Sequence, residues 1–243
     1  MRHCYSLFSG GLDSTLAILK IISRNDAVKV TPIFFDYGQK ALKEEVEAVN
    51  QLIPAVRKFS KHKATVIEDC KKIEIRKNKN VSEGLFSWSQ SPLLEGRPIN
   101  KDVDVENRNM ILISCVASVI MAERKRSQIK SPVELIVGFL NEYYDTSVNF
   151  VKVLNELFEV IGYPIKVVTP LIPEGQKDPV SLNKLVDIAR SLNVLSLLKN
   201  MTWSCYYPQN GNPCDSCHPC SKRKSFFTEL GMKELKRKPR KPL

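Results

Sequence analysis

Short runs of β-branched and aromatic residues alternate with segments of helical periodicity along most of the chain. We predict strands over residues 2–8, 28–35, 64–67, 134–140 and 166–169. We predict helices over residues 15–22, 40–56, 109–124, 147–161 and 181–192, with the second ending near Pro54 and the last capped by Ser181. Strands that alternate with helices in this way predict an α/β fold, a doubly wound parallel five-stranded sheet of Rossmann-like type.

The composition fits one mid-sized domain with a small addition. Hydrophobic residues make up 43% of the 243 residues and charged residues 26%, which excludes a wholly disordered chain. The longest apolar run, from Met110 to Ala122, is shorter than the roughly 20 residues that a membrane-spanning helix needs. The first residues lack the pattern of a secretion signal, so we expect a cytoplasmic protein without a membrane partner.

The segment from Phe8 to Thr15 ends the first predicted strand and opens the first predicted helix. Two adjacent glycines allow a tight turn that brings backbone amides near an anion, and the helix N-terminus adds its positive dipole end. Neither a Walker loop nor a dinucleotide-binding fingerprint is present in the chain. The segment therefore indicates phosphate binding, and its candidate residues are Phe8, Ser9, Gly10, Gly11, Leu12, Asp13, Ser14 and Thr15.

Four of the seven cysteines cluster near the end of the chain with the spacing Cys-x8-Cys-x2-Cys-x2-Cys: Cys205, Cys214, Cys217 and Cys220. Two-residue gaps allow neighbouring thiolates to converge on one metal ion, and four thiolates form a closed tetrahedral site. We therefore predict a structural Zn²⁺ site. An iron–sulfur cluster and four unrelated cysteines are the alternatives.

The formal net charge of +11 is concentrated at one end, because residues 222–243 alone carry +7. We predict a nucleotide-binding domain over residues 1–200 and a zinc-binding region with a basic tail over residues 201–243. Such a tail most often only keeps the chain end solvated. It can also attract an acidic macromolecular partner such as a nucleic acid.

The sequence motifs at the glycine loop and around the cysteines resemble those of two protein families, one of which is part of the other. Ser9-Gly10-Gly11-Leu12-Asp13-Ser14 is similar to the Ser-Gly-Gly-x-Asp-Ser mark of the PP-loop ATP pyrophosphatases, which cleave ATP between its α and β phosphates. This resemblance implies that the loop holds pyrophosphate and that Asp13 helps to place Mg²⁺. Ser204-Cys205-Tyr206, the cysteine spacing, Tyr37-Gly38-Gln39-Lys40 and Arg108-Asn109 resemble the 7-cyano-7-deazaguanine synthase (QueC) family.

The second resemblance implies the reaction and its partners. Members of that family convert 7-carboxy-7-deazaguanine to the nitrile with ATP and ammonia, through an acyl adenylate and an amide. Relatives of this kind are commonly homodimers. The similarity extends over nearly the whole chain, but the family's Tyr-Pro-Asp-Cys-Arg word is replaced here by residues 144–150.

The resemblance also supplies the remaining site candidates. Catalytic candidates are Asp13, Arg108 and Lys177, the last from Gln176-Lys177-Asp178 as the counterpart of the family's Thr-Lys-x-Glu. Further ATP-binding candidates are Asp36, Gln39 and Asn109. Substrate-binding candidates are Tyr37, Asp145 and Phe150. Arg97 is a further candidate that comes from the loop at residues 77–105, which has no clear period and is expected to cover the base. Without the resemblance, Asp36 would be a turn residue, Arg108 an exposed charge and Asn109 a helix N-cap.

Three other functions fit the same residues. The activated acyl group could pass to another amine, such as one on a protein or nucleic acid. A PP-loop tRNA thiolase would need a reactive cysteine near the nucleotide. A zinc-containing nucleotide sensor would bind ATP without releasing pyrophosphate.

Overall fold

The computed structural model describes residues 1–24, 26–60, 62, 64–75 and 108–232. Its strands are β1 (Arg2–Leu7), β2 (Val28–Asp36), β3 (Val66–Ile67), β4 (Lys71–Glu74), β5 (Val133–Ile136) and β6 (Ile165–Val168). Its helices are α1 (Leu12–Ile22), α2 (Leu42–Phe59), α3 (Arg108–Arg126), α4 (Val148–Val160), α5 (Leu182–Ser191), α6 (Leu195–Met201) and α7 (His218–Glu229), with a 3₁₀ turn at Tyr144–Thr146. The expectations for Arg97, for the loop at residues 77–105 and for the last residues of the tail lie outside these ranges.

The strands form one parallel sheet in the order β3-β2-β1-β5-β6, and β4 also pairs with β2. The central strand β1 pairs Tyr5 with Thr31 of β2 on one side and with Leu135 of β5 on the other. The short strands β3 and β4 follow each other along the same edge of β2. The predicted parallel α/β fold is thus confirmed, with two short strands where the sequence indicated one.

Helices cover both faces of the sheet, as a doubly wound fold requires. Phe34 of β2 belongs to a core formed with α1, α2, α5, α6 and α7. Its neighbour Phe35 points to the other face and belongs to a core formed with α3 and α4. Both side chains are nearly inaccessible to solvent, and burying one such side chain stabilises the fold by roughly 1.5–3 kcal/mol.

Most predicted helix ends lie within two residues of the observed ones, but α1 begins at Leu12 instead of residue 15 and α2 continues beyond Pro54. The helices α6 and α7 were not predicted. The predicted cap Ser181 accepts a hydrogen bond from the Lys184 amide, at 3.3 Å. The prediction that the second helix ends near Pro54 is wrong, because α2 continues to Phe59. Pro54 removes one backbone hydrogen bond from an exposed position, while Val56 beyond it is fully buried in the core.

The cysteine region shares the main core. Trp203, Phe226 and Phe227 are buried in the same cluster as α1 and α2. The boundary at residue 200 stays a prediction, since side chains from both sides of it pack together. Within the described part of the chain, no helix combines the length and apolar character needed to span a bilayer.

Candidate functional site

The glycine loop joins β1 to α1 in a conformation that requires Gly10. Its φ is +72°, and a Cβ at this position would lie 3.1 Å from the Ala48 Cβ and 3.2 Å from the Val49 Cγ2. Gly11 is the N-cap of α1 and no side chain caps this end of the helix. The first amides and the positive dipole end of α1 are therefore available to an anion.

Two serine hydroxyls line this turn. The Oγ atoms of Ser9 and Ser14 lie 3.2 Å apart, and the Ser14 hydroxyl donates to the Gly11 carbonyl at 3.3 Å. Thr15 is fully buried, and neither it nor Gly10 lines the adjacent cavity. The predicted phosphate-binding segment thus divides into residues that face the cavity and residues that shape the turn.

Gly138, after β5, supports the loop from the opposite side. A Cβ on Gly138 would lie 2.8 Å from the Ser14 amide nitrogen and 2.9 Å from the Asp13 carbonyl carbon. These atoms are backbone and cannot rotate away. Only glycine therefore allows the end of β5 to approach the loop this closely.

A cavity of about 660 Å³ lies in front of the loop, at the carboxyl ends of β1, β2 and β5. This is the edge where ligands bind in open parallel sheets. The helices α3 and α7 form part of its wall. The predicted site residues that line it are Phe8, Ser9, Gly11, Leu12, Asp13, Ser14, Tyr37, Gln39, Arg108, Asn109 and Asp145.

Asp13 lies in the first turn of α1 and pairs with a lysine from α7. The Lys222 Nζ is 3.3 Å from the Asp13 Oδ2 and 2.9 Å from the Glu142 Oε1. The Asp13 Oδ1 is buried and has no hydrogen-bond partner among the described residues. Burial raises the pKa of the Asp13 carboxyl, and the Lys222 ammonium partly opposes this shift.

Arg108, the first residue of α3, contacts two phenol groups and lies in the field of a carboxylate. Although burial lowers the pKa of its guanidinium, electrostatic attraction to Tyr206, Tyr37 and Asp145 and a hydrogen bond to Tyr206 raise this pKa overall. The Asn109 Nδ2 donates to the Asp145 Oδ2 at 2.6 Å. The interpretation of Arg108 as an exposed surface charge is therefore excluded.

Gln39 holds a second carboxyl group at the cavity wall. Its Nε2 donates to the Phe35 carbonyl at 2.9 Å and to the Glu45 Oε2 at 2.7 Å. Burial raises the pKa of Glu45 to about 7, although the Gln39 hydrogen bond and the Arg108 charge lower it. Glu45 therefore changes its charge near neutral pH.

Asp36 is not brought to the cavity. Its side chain is fully buried, with Oδ2 2.8 Å from the Lys72 Nζ, and its Oδ1 accepts a hydrogen bond from the Gly38 amide at 3.2 Å. The Asp36 carboxylate therefore holds the turn after β2, and its assignment to ATP binding stays a prediction.

Phe150 and Lys177 do not line the cavity either. The Phe150 ring packs against Phe139, with ring centroids 6.4 Å apart, so it belongs to the core beside α3 and α4. Lys177 is exposed, and the Asn141 side chain binds its backbone carbonyl at 2.8 Å. Phe150 thus packs against the core and Lys177 lies in an exposed loop, and the roles predicted for these two side chains stay predictions.

The four clustered cysteines converge as the spacing predicts. The sulfur atoms of Cys205, Cys214, Cys217 and Cys220 all lie within 4.8 Å of one another. Tetrahedral Zn–S bonds of about 2.3 Å bring sulfurs to similar separations, so the four side chains fit zinc. The Cys205 sulfur also accepts hydrogen bonds from the Cys214 and Tyr207 amides, at 3.2 and 3.3 Å. The hydrogen bonds among Cys205, Cys217 and Cys220 lower the pKa of the Cys217 thiol and raise the pKa of the Cys220 thiol.

The cysteine region also braces the glycine loop. The Trp203 amide donates to the Gly10 carbonyl at 2.9 Å, and Cys217 both caps α7 and lines the cavity. The buried Arg223 of α7 donates to the Thr202 hydroxyl at 2.6 Å and to the Lys199 carbonyl at 2.8 Å. Order in the metal-binding region is thereby linked to order at the cavity.

Several cavity residues were missed by reasoning from the sequence: Glu45, Gly138, Glu142, Tyr206 and Lys222. Lys222 lies in the basic run, where its charge looks like one of many. Glu45 stands beside Glu44 in an amphipathic helix and has no distinguishing neighbour. Tyr206 could have been predicted, because it belongs to the Ser204-Cys205-Tyr206 motif on which the family resemblance rests.

The fold and the site define an α/β protein in which a glycine loop of the phosphate-binding kind faces a cavity and a four-cysteine metal-type site adjoins it. The sequence model described as "QueC: Queuosine biosynthesis protein QueC" matches residues 3–231. The chain belongs to the QueC family.

Curated relatives agree with this assignment. A protein from Methanothrix thermoacetophila named 7-cyano-7-deazaguanine synthase is 30% identical over 247 residues, covering 96% of both chains. A protein of the same name from Campylobacter concisus is 25% identical, covering 93% of this chain and 94% of its own. The solved complex of a 4-thiouridine synthetase with RNA and bound ATP is similar with a TM-score of 0.46 and 16% identity, over 95% of this chain and 50% of that one. That likeness is too distant to bear on function.

Proposed function

We propose that this protein is an ATP-dependent C–N ligase that acts on 7-carboxy-7-deazaguanine or a close analogue. It converts the carboxylate with ammonia to the amide and the nitrile, 7-cyano-7-deazaguanine, and releases AMP and pyrophosphate. The observation that carries the proposal is the meeting of the glycine loop, Asp13 and Arg108 at one cavity, in a member of the QueC family. The shared name of the relatives suggests the substrate class.

The loop supplies the nucleotide side of the site. The amides at the start of α1 and the hydroxyls of Ser9 and Ser14 are donors for the β and γ phosphates. The cavity volume of about 660 Å³ lies within the usual range for small-molecule sites, about 300–1,000 Å³. Both features support binding of ATP with its phosphates at α1.

Mg²⁺ fits the carboxylates beside the loop. The buried Asp13 Oδ1 has no partner among the described residues, and Glu142 lies on the other side of the same ammonium group. Hard carboxylate oxygens suit this ion, so Asp13 and Glu142 are the residues that would hold it. When bound, the ion would neutralise charge on the phosphates.

The wall of the cavity opposite the glycine loop offers groups for the nucleobase and for the substrate carboxylate that reacts. Arg108, held by Tyr37 and Tyr206, supplies a fixed positive charge for the α-phosphate.

The carboxylate oxygen attacks the α-phosphorus and pyrophosphate leaves. Ammonia then attacks the acyl carbon, AMP leaves, and a second adenylation of the amide oxygen allows loss of AMP to form the nitrile. The Asn109–Asp145 pair and Glu45 offer hydrogen-bonding groups for a deazaguanine.

The four cysteines would hold a structural Zn²⁺, because they close a tetrahedral shell and leave no open position. A reducing compartment such as the cytoplasm keeps these thiols available for the metal. The homodimer and an acidic partner of the tail also remain proposals.

Product analysis tests the function directly. The purified protein is incubated with ATP, Mg²⁺, ammonium and 7-carboxy-7-deazaguanine, and the products are identified by mass spectrometry. We expect AMP, pyrophosphate and the amide or nitrile. The matched control is 7-deazaguanine without the carboxyl group, which should give no AMP.

Other outcomes would select the alternatives. AMP formation that depends on the acid, without an amide from ammonium, would indicate transfer to another amine. ATP binding without pyrophosphate release would favour the sensor. Formation of ADP, or AMP formation that ignores the acid, would contradict the proposal.

A further inference from the structure

Lys222 joins three parts of the chain at the cavity. Its Nζ lies 3.3 Å from the Asp13 Oδ2, at the start of α1, and 2.9 and 3.0 Å from the two oxygens of Glu142, after β5. Lys222 itself comes from the second turn of α7, and its side chain is 21% exposed. One ammonium group thus holds two carboxylates that are 129 residues apart in sequence.

The net charge of the cluster formed by Asp13, Glu142 and Lys222 is unfavourable for binding a polyphosphate. Two carboxylates and one ammonium leave a net negative charge beside the uncapped amides of α1, where phosphates would bind. A phosphate chain entering here would be repelled unless the cluster rearranged. Nucleotide binding at the cluster therefore needs an added cation, a change of pairing, or both.

Lys222 is the cation best able to change partners among the described residues of the cavity wall. Arg108 is held by Tyr206 and Tyr37, and Arg223 is buried against carbonyl groups at the end of α6. The Lys222 ammonium is a point charge on a flexible stem of four carbons, so it can move by several ångströms without moving α7.

Asp13 retains binding capacity that Lys222 does not use. Its Oδ1 is buried without a hydrogen-bond partner among the described residues, while Lys222 contacts only Oδ2. Leaving such an oxygen unsatisfied is costly, which indicates that another cation belongs beside it. Glu142 presents both of its oxygens to the same point.

We infer that Lys222 is a phosphate-binding residue that occupies the cation position between Asp13 and Glu142 until ATP arrives. Its ammonium then moves to the phosphates, and the two carboxylates become available to a divalent cation. After the exchange the divalent cation balances the two carboxylates and the ammonium faces the phosphates, so the excess negative charge beside the loop is removed. This inference rests on the proposed function, since it requires ATP to be the ligand of the loop.

Two binding measurements on the zinc-loaded protein test the exchange. Lys222→Met keeps the length of the side chain and removes its charge, and Lys224→Met, at an exposed position of the same helix, is the matched control. Without nucleotide, we expect Lys222→Met to bind Mn²⁺ about tenfold or more tighter than the unaltered protein, measured by electron paramagnetic resonance, because its competitor is gone. The added substitution Glu142→Gln should remove this gain.

With Mg²⁺ present, calorimetry measures the affinity for an ATP analogue with a methylene group between its α and β phosphates. We expect Lys222→Met to bind it about tenfold or more weakly, since a charge-assisted contact is lost, and Lys222→Arg to recover part of the affinity. Lys224→Met should change neither measurement. Zinc content and melting temperature show that each variant is folded.

The outcomes distinguish a failure of the proposed exchange from a failure of the proposed function. If the unaltered protein binds the analogue and Lys222→Met matches Lys224→Met in both measurements, the exchange is wrong and the proposed function stands. If the unaltered protein binds no analogue, both are overturned. A gain in Mn²⁺ affinity without any loss of analogue affinity would contradict the transfer of the ammonium to phosphate.

Discussion

At the scale of single residues, Gly138 sets the distance between the end of β5 and the glycine loop. The loop backbone passes so close that the smallest side chain would overlap with the Ser14 amide. The loop position, and with it the proposed phosphate site, therefore depends on a glycine from a different strand. The sequence placed Gly138 inside the strand predicted over residues 134–140, whereas β5 ends at Ile136 and Gly138 meets the loop.

Gly138→Ala should displace the glycine loop. We expect the affinity for an ATP analogue to fall about tenfold or more, because the added Cβ would approach the Ser14 amide to 2.8 Å and a shift of this size misplaces bound groups. Calorimetry measures the affinity. Gly162→Ala is the control, since this glycine has φ +70° but open space around it, so it should cost stability and leave the affinity unchanged. Equal affinities for both variants would contradict the role of Gly138.

Glu45 should make the stability depend on pH. Burial raises its pKa from 4.5 to about 7, so between these values the folded protein holds a proton that the unfolded chain has lost. The free energy of unfolding should therefore decrease as pH rises through this window, by at most about 1.4 kcal/mol per pH unit from this group.

Glu45→Gln tests this dependence by urea denaturation at pH 5 and pH 8. We expect the variant to gain stability relative to the unaltered protein as pH rises, because it lacks the buried charge. Glu156→Gln, at an exposed carboxyl on α4, should show no such gain. The same stability difference at both pH values would show that Glu45 is not a buried titrating group.

At the scale of elements, the four-cysteine site and helix α7 together position side chains at the cavity wall. Cys217 caps α7, and α7 carries Lys222 and Arg223. Metal binding in such sites is coupled to folding, so losing one thiolate should disorder the start of α7. The metal site would thereby support the cavity without taking part in the chemistry.

Cys217→Ser should lower both zinc content and stability. We expect less than one zinc per chain by elemental analysis and a melting temperature lower by at least about 5 °C, because structural zinc contributes folding free energy. Cys115→Ser, in a partly buried position on α3, should keep its zinc. Full zinc occupancy in Cys217→Ser, or iron in place of zinc in the unaltered protein, would contradict the structural zinc site.

Elements with strong periodicity could be predicted from the sequence, and short ones could not. The continuous run of β2 and the capped start of α5 were recognisable because their signals are local. Strand β4 has the sequence Lys-Lys-Ile-Glu, which shows no strand pattern, and it forms only because β2 offers a free edge. The helix α2 passes Pro54 because buried side chains beyond it outweigh one lost hydrogen bond.

At the scale of the whole molecule, the sequence predicted the α/β fold, the loop at its first junction and the convergence of four cysteines. It could not predict which side chains from distant segments meet, because such contacts depend on the path of the whole chain. Asp36 was assigned to the nucleotide from its position after a strand, yet Lys72 of β4 occupies its carboxylate. Lys222 was passed over in the basic run, yet it meets Asp13.

We propose that the turn between β1 and α1 holds the β and γ phosphates of ATP. A crystal structure with Mg²⁺ and the analogue that carries a methylene group between its α and β phosphates tests it most directly. We expect density for the two terminal phosphates at the amides of residues 10–14, with the α-phosphate toward Arg108. Nucleotide density elsewhere, with this turn empty, would contradict the account.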